Sequence, residues 1–160
     1  MAVLVLGLGN TLMSDDGFGV HVVEALRSRY RMPEGVALLD GGTLGLDLLP
    51  RLEGVRRLLI VDALQMGGTP GAVYHLRGEE VPRAFAAKLS VHQMGVQDLL
   101  AVAELQGHLP AELVVWGVQA GAIDMGLDLT PEVSGALEEV LSGIVAELSA
   151  WGVPPVRAAA

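Results

Sequence analysis

Five short apolar runs along the chain have the composition of β-strands. The first, residues 3–6, is uniformly apolar and ends at a glycine, which is typical of a strand covered on both faces. Residues 72–76 alternate between apolar and polar side chains, which indicates a half-buried edge strand. The other three runs are residues 36–39, 58–61 and 113–116. The pattern therefore predicts five strands.

Three further segments carry helical periodicity. Residues 17–31 place one apolar stripe before Pro33, residues 90–93 match a capping box ahead of a second stripe, and Thr130-Pro131-Glu132 marks the start of a third helix. The stripes are Phe18, Val22, Ala25 and Leu26; Val96, Leu99, Leu100 and Ala103; and Val133, Leu137, Val140, Leu141, Ile144 and Leu148. Because strands and helices alternate, we predict an α/β sandwich with a mostly parallel sheet between helical layers.

The composition is that of one folded domain. The chain has 160 residues, of which 51% are hydrophobic and 18% charged, and its formal net charge is −9. A chain of this size can bury about 70% of the surface that its unfolded form exposes, so the core needs no disulfide or structural metal. We expect one α/β domain over residues 1–152 and a loose C-terminal tail over residues 153–160, which include Pro154-Pro155.

Cysteine content and charge exclude several classes of function. The chain has no cysteine, which excludes disulfides, thiolate metal sites and a cysteine nucleophile and fits a cytoplasmic location. Its acidic balance would repel a phosphate backbone, so nucleic-acid binding has little electrostatic support. No stretch approaches the roughly 18 uninterrupted apolar residues of a membrane span. We therefore expect a cytoplasmic protein that neither binds nucleic acid nor inserts into a membrane.

Polar residues follow the predicted strands at the points where the strands end. Asp15 and Asp16 come shortly after the first strand, Asp40 after the second and Asp62 after the third, and residues 117–119 continue the fifth. Ligands of open α/β sheets bind beyond the carboxyl ends of the strands, so these groups are predicted to converge in one crevice. Asp62 is the most informative, because a carboxylate at the end of a buried strand is expensive to desolvate without a partner.

A histidine adds a metal-binding possibility to these carboxylates. His92 lies in the first turn of a predicted helix, where the helix dipole favours a neutral imidazole. Together with two or three carboxylates it forms an incomplete ligand set for zinc or nickel. Structural roles are the alternative for each residue alone: Asp15 and Asp16 at a helix N-terminus, Asp40 in a turn, and His92 in packing.

A dinucleotide site is a second interpretation of the same region. Gly7 and Gly9 follow the first strand and an acidic residue follows the second, as in the dinucleotide fingerprint. However, Leu12 stands where the third glycine belongs, and Asp15 would place a negative charge against the pyrophosphate. The signatures of a serine nucleophile elbow, a zinc-peptidase helix and a P-loop are missing from the sequence.

Four motifs, in order and at similar spacing, resemble the nickel-iron hydrogenase maturation endopeptidases. They are GLGNTLMSDDGFGV at residues 7–20, DGGT at 40–43, VDA at 61–63 and SVHQ at 90–93, and the likeness extends to about residue 148. The resemblance implies a monomeric α/β protease with a twisted five-stranded sheet, one strand of which is antiparallel. It further implies that the protein removes the C-terminal extension of a hydrogenase large subunit precursor after nickel insertion.

The resemblance also implies the roles of the site residues. Asp16, Asp62 and His92 match the metal-binding positions of the family, and Asp40 matches an aspartate associated with cleavage or substrate docking. Some relatives carry Glu where this chain has Asp16, and the shorter side chain changes the distance to a metal. The implied metal is nickel supplied by the substrate, for which zinc or another divalent cation could substitute, so a permanent cofactor is not required.

Two further functions remain open on the sequence alone. One is a nucleotide-binding module, and the other is a chaperone that checks nickel loading and binds the precursor without shortening it. Our mechanistic hypothesis is that nickel in the precursor docks at the carboxylate and histidine site, and that the metal or a nearby carboxylate activates water.

Overall fold

A five-stranded sheet forms the centre of the computed structural model, which describes the backbone of residues 3–86 and 91–159 and the side chains of residues 3–85 and 95–159. The strands are β1 (Val3–Leu8), β2 (Tyr30–Arg31), β3 (Val36–Gly42), β4 (Arg57–Leu64), β5 (Val73–Arg77), β6 (Glu112–Gln119) and β7 (Val156–Arg157). The order in the main sheet is β3-β1-β4-β6-β5. Four of these strands are parallel, and β5 pairs antiparallel with β6. The predicted mostly parallel sheet with one antiparallel edge strand is therefore confirmed.

Helices cover both faces of this sheet. They are α1 (Phe18–Arg29), α2 (Glu80–Ala86), α3 (Val91–Leu105), α4 (Pro131–Ser134) and α5 (Leu137–Ala150), with 3-10 helices at Ser14–Gly17 and Gly45–Leu52. One core, under α1 and α5, contains Val5, Leu59 and Val61, and the other, under α2 and α3, contains Leu6 and Ile60. Alternate residues of each strand thus point into different cores. The predicted three-layer α/β sandwich is confirmed.

The chain direction places a crevice at the carboxyl ends of β1 and β4. These two strands are neighbours, but the connection after β1 crosses one face through α1, whereas the connection after β4 crosses the other face through α2 and α3. Loops that leave neighbouring strands in opposite directions open a cleft between them, which is where open α/β sheets bind ligands.

Two sequence predictions about the C-terminal part were wrong. The single helix expected after Thr130 is divided into α4 and α5, because the N–H of Ala136 bonds to the carbonyl of Val133, three residues back, and interrupts the regular ladder after Gly135. The segment expected to be a loose tail contains β7, which pairs antiparallel with β2, and the N–H of Ala158 donates to the carbonyl of Arg29 at 2.9 Å.

Several short elements had no recognisable sequence pattern. The 3-10 helix Gly45–Leu52 and the helix α2 have only 8 and 7 residues, too few for a stripe to stand out from a loop. Both nevertheless bury side chains in the α3-side core, among them Leu48, Leu52 and Phe85. In the described part of the chain no helix is long and apolar enough to cross a membrane.

Candidate active site

The first motif places two adjacent carboxylates inside the protein. Asp15 and Asp16 lie on the 3-10 helix Ser14–Gly17, which directly precedes α1, and they are only 0% and 3% exposed. This 3-10 helix contacts β4, the strand that carries Asp62. Burying a carboxylate is costly unless polar groups replace its water, so the partners of each carboxylate indicate its role.

Asp15 fastens a distant loop to the first motif. Its Oδ2 accepts hydrogen bonds from the backbone N–H groups of Gly121 and Ala122, both at 2.8 Å. Its Oδ1 accepts from the N–H of Thr130 at 2.7 Å, and the Thr130 hydroxyl lies 2.9 Å from Oδ2. Thr130 is the N-cap residue of α4, as predicted, but its hydroxyl bonds to Asp15 and makes no capping hydrogen bond. The loop between β6 and α4 is held at both ends by one side chain.

These bonds also fix the charge of Asp15. Burial alone raises the pKa of the carboxyl, but the hydrogen bonds from the backbone of Ala122, Thr130 and Gly121 and from the Thr130 hydroxyl outweigh it and hold the pKa below its ordinary value. Asp15 is therefore an ionised, fully used acceptor. The sequence indicates a helix N-terminus as a structural role for Asp15. It does not indicate the hydrogen-bond partners of Asp15, because they lie more than a hundred positions away along the chain.

The backbone of Asp16 packs against a tight turn after β1, and one position of that turn, Gly9, requires a glycine. Its Oδ2 accepts from the backbone N–H of Asn10 at 3.0 Å. Gly9 has a φ of +128°, and a Cβ there would lie 1.7 Å from the carbonyl oxygen of Asp16. The glycine thus allows the chain after β1 to fold directly against the Asp16 backbone. In a dinucleotide site the glycine backbone lies against the pyrophosphate, whereas here the backbone of Asp16 occupies that position.

Asp62 is completely buried near the carboxyl end of β4. Its Oδ1 accepts from the N–H of Ala63 at 2.8 Å. By the alternation of β4, Asp62 is on the same side as Ile60 and Leu64, which belong to the core under α3. Asp62 and α3 therefore share one face of the sheet, and the 3-10 helix carrying Asp16 packs against the same strand.

Asp40 is placed differently from the other carboxylates. It pairs with Gly7 across β3 and β1, is exposed, and accepts from the N–H of Gly42 at 2.9 Å in a local turn. Strand alternation puts it on the side of Leu38, in the α1 layer, and away from the face of Asp62. The convergence expected for all four site residues is therefore not shown for Asp40.

His92 belongs to the first turn of α3, but its side chain and the capping residue Ser90 lie outside the described residues. The start of α3 is positioned by a glycine contact: a Cβ on Gly45, whose φ is +56°, would lie 3.0 Å from the Cα of Gly95. The loop after β3 therefore packs directly on the backbone of α3, one turn after His92. Among the described side chains, no three His, Asp or Glu form a cluster that could hold a metal ion.

The side-chain amide of Gln119, at the end of β6, holds a second loop in place. Gln119 is 4% exposed, and its Oε1 accepts from the N–H groups of Met66 and Gly68 at 2.8 and 3.2 Å. Its Nε2 donates to Oε1 of Gln65 at 3.1 Å. Gln119 therefore fixes the turn that follows β4, and its side-chain amide is fully used for this purpose.

Comparison with known proteins gives one consistent result. The HycI family model, described as hydrogenase maturation protease, matches residues 20–147. The chain is 40% identical over 157 residues to the hydrogenase 2 maturation protease of Escherichia coli, covering 98% of this chain and 96% of that protein. It is 43% identical over 159 residues to the hydrogenase expression/formation protein HupD of Rhodobacter capsulatus, covering 98% and 76%.

Solved structures agree with these relatives. The hydrogenase maturating endopeptidase HybD of E. coli superposes with a TM-score of 0.94 at 39% identity, covering 98% of both chains. The [NiFe] hydrogenase maturation protease HybD of Thermococcus kodakarensis gives a TM-score of 0.75 at 34% identity, covering 92% of this chain and 99% of the other.

Proposed function

Because this chain belongs to the hydrogenase maturation protease family, we propose that it is an endopeptidase that removes the C-terminal extension of a nickel-iron hydrogenase large subunit precursor after nickel insertion. The observation that carries the proposal is the pair of buried carboxylates at the crevice. Asp62 lies near the carboxyl end of a buried strand, and Asp16 lies on a 3-10 helix packed against that strand. Buried carboxylates that meet at a crevice are a common feature of reactive sites.

Nickel enters this proposal as part of the substrate. We propose that Asp16, Asp62 and His92 recognise the nickel of the loaded precursor, with two carboxylate oxygens and one imidazole nitrogen as ligands. Nickel and zinc accept such mixed ligand sets, so zinc or another divalent cation can stand in for nickel in binding studies. Recognition of the metal places the scissile peptide at the crevice and makes cleavage depend on completed nickel insertion.

The carboxylates supply the remaining chemistry at the crevice. In a site that excludes bulk water, a carboxylate interacts strongly with a cation and with a polarised water molecule. We propose that a carboxylate of this set, or the substrate's nickel, activates the water that attacks the peptide bond. Asp40, which is exposed in the turn after β3, is assigned to contact with the precursor chain.

The test is a mass measurement of the precursor. Purified protein is incubated with nickel-loaded and nickel-free large subunit precursor, and intact mass reports loss of the C-terminal extension. We expect shortening of the nickel-loaded form only. Asp62→Asn and His92→Ala should each lower the cleavage rate at least about 100-fold, because each removes one ligand or charge from the reacting site.

Matched controls separate chemistry from folding. His108→Ala and Asp98→Asn alter a histidine outside the crevice and an exposed aspartate on α3 and should leave cleavage unchanged. Thermal unfolding of all four variants checks that the fold is kept. Binding of the nickel-loaded precursor without any shortening would identify a loading checkpoint chaperone and reject the protease.

A further inference from the structure

Exposed apolar side chains gather around the crevice. Seven large hydrophobic residues among the described ones are exposed in the segments that follow the carboxyl ends of the strands: Leu12, Leu44, Leu46, Met66, Ile123, Met125 and Leu127. The surfaces of soluble proteins carry single apolar residues everywhere, but a group of them beside a cleft marks a place where another molecule binds.

Three of these side chains form one patch, which we call the Met125 patch: Leu12, Met125 and Leu127, exposed by 60%, 90% and 66%. A parallel bridge joins Met13 to Gly126, and the N–H of Gly126 donates to the carbonyl of Leu12 at 2.9 Å. Because the two segments run parallel at this bridge, Leu12 and Met125, which each precede a bridged residue, lie next to each other, and Leu127 directly follows the bridged Gly126.

The structure holds this patch rigidly. Ser14 adopts a left-handed conformation with a φ of +50°, its N–H donates to the carbonyl of Gly126 at 2.9 Å, and its hydroxyl donates to the carbonyl of Asp124 at 2.8 Å. A strained residue of this kind persists only where its surroundings over-determine it. Asp15 fastens the same loop on both sides of the patch. The protein therefore fixes the backbone that carries the three exposed apolar side chains.

We propose that the Met125 patch is the docking surface for an extended, apolar and non-acidic segment of the precursor chain. The inference rests on the proposed function and names the part of the protein that holds the polypeptide. The patch adjoins the segment that carries Asp16, because Leu12 and the bridged Met13 directly precede the 3-10 helix Ser14–Gly17, and Asp15 of that helix binds the same loop after β6. A preformed surface of this kind binds an unfolded segment without losing its own conformational freedom.

The charges around the Met125 patch indicate which kind of precursor segment it binds. Asp124 and Asp128 flank the patch and are exposed, and Asp47 lies exposed in the first turn of the 3-10 helix after β3. With a formal net charge of −9 on the chain, an acidic segment would be repelled. The long, unbranched and polarisable side chain of Met125 can adapt to apolar side chains of different shapes.

Site-specific crosslinking tests the contact directly, because the chain has no cysteine of its own. Met125→Cys is labelled with a photoactivatable crosslinker and irradiated with nickel-loaded precursor, and the crosslinked peptide is identified by mass spectrometry. The matched control is Leu105→Cys, at a leucine that is 86% exposed at the opposite end of α3. We expect a crosslink to one apolar segment of the precursor from position 125 and none from position 105.

A kinetic measurement completes the test. In single-turnover cleavage, Met125→Ser combined with Leu127→Ser should raise the half-saturating precursor concentration about tenfold and leave the limiting rate within about twofold, because only binding surface is lost. Leu105→Ser should change neither value.

The outcomes distinguish this inference from the proposed function. Shortening of the precursor without a crosslink at position 125, or with an unchanged half-saturating concentration in the double variant, overturns the docking surface and leaves the protease standing. A crosslink at position 125 without shortening supports the docking surface and rejects the protease. Absence of both rejects the two together.

Discussion

At the carboxyl ends of β1 and β4 carboxylates lie inside the protein, whereas at the amino ends of β4 and β6 charged side chains face solvent. Asp15 and Asp62 are fully buried, but Arg57 and Glu112 are one third to one half exposed and pair with each other at 3.1 Å. The apolar side chains show the reverse distribution, since the exposed ones gather at the carboxyl ends. Buried carboxylates and exposed apolar side chains both cost free energy, so the carboxyl ends of the strands carry features that are expected of a functional site.

A cavity is also found at the amino ends of the strands. A depression of about 560 Å³ opens at the amino ends of the strands, lined by Leu52, Val55, Arg56, His108 and Leu109 among others. No carboxylate lines it, and its charged groups are in contact with solvent. The comparison teaches that buried acids bonded to backbone N–H groups, more than the presence of a pocket, mark the carboxyl ends of β1 and β4 as the candidate site.

The largest difference in the free energy of unfolding between the two ends is expected for alanine substitutions at two glycines with positive φ. Gly9→Ala should destabilise the protein by about 4 kcal/mol, because the new Cβ would adopt a strained φ and would also overlap the Asp16 carbonyl oxygen. Gly54, at the amino end, has a φ of +78° with no atom within 4 Å of a Cβ, so Gly54→Ala should cost only about 1 kcal/mol. Urea unfolding of both variants measures the difference. Equal losses of stability would contradict the close contact between Gly9 and the carbonyl oxygen of Asp16.

Asp15→Asn is expected to have the next largest effect. The amide keeps one oxygen acceptor but turns an NH₂ group toward backbone N–H donors, which should destabilise the protein by about 3 kcal/mol at neutral pH. Asp128→Asn, at an exposed aspartate of the same loop, should change stability by less than about 0.5 kcal/mol. The two free energies of unfolding are compared by urea titration.

The pH dependence of the Asp15 effect has a definite sign. Because the pKa of Asp15 is lower in the folded protein than its ordinary value of 3.8, its stabilisation is fully present above that value and is lost as the pH falls through the folded pKa. The difference between the unaltered chain and Asp15→Asn should therefore be constant near neutrality and shrink in acid below about pH 4. A difference that grows in acid would contradict the assignment.

Four strands of the main sheet could be predicted because each contains a short apolar run followed by a glycine or an acid, and β5 could be predicted from its alternating side chains. The parallel arrangement followed from the alternation of strands with helices, and Asp62 was recognisable as a candidate because it ends such a run. The 3-10 helix Gly45–Leu52 and the pairing of β2 with β7 could not be predicted, because the first is too short for periodicity and the second joins opposite ends of the chain.

The role of Asp15 was hidden for a related reason. Its donors lie at Gly121, Ala122 and Thr130, and nothing in the sequence near Asp15 indicates them. Thr130 was read as the cap of a helix, which is its commonest role before a proline, yet its hydroxyl bonds to Asp15. Local patterns report local bonds, so a carboxylate with distant backbone donors looks like an ordinary helix-terminal acid until the fold is known.

A smaller effect is expected at a buried carboxylate whose partners are an arginine and a histidine. Glu147 on α5 is 6% exposed, and it accepts from Arg77 at 2.8 Å and lies 2.7 Å from Nε2 of His75, which stacks on Trp116. Glu147→Gln should destabilise the protein by about 1 to 2 kcal/mol, because Arg77 is half exposed and can be rehydrated. Cleavage should be unchanged. A processing defect at equal stability would show that the reactive region extends beyond the crevice.

The smallest effect is expected at the ion pair of the amino ends. Arg57 contacts Glu112 at 3.1 Å, donates to the carbonyl of Trp151 at 3.1 Å and lies over the Trp151 ring at 5.3 Å. Glu112→Gln should therefore change the free energy of unfolding by less than about 0.5 kcal/mol, because the pair is partly exposed and Arg57 keeps its contacts with Trp151. The remaining difference should vanish as salt rises toward about 1 M, where exposed charges are screened. Urea titrations at low and high salt measure this, with the cleavage rate as a second readout. A loss above about 2 kcal/mol, or slower cleavage, would mean that the two ends of the sheet are not energetically distinct.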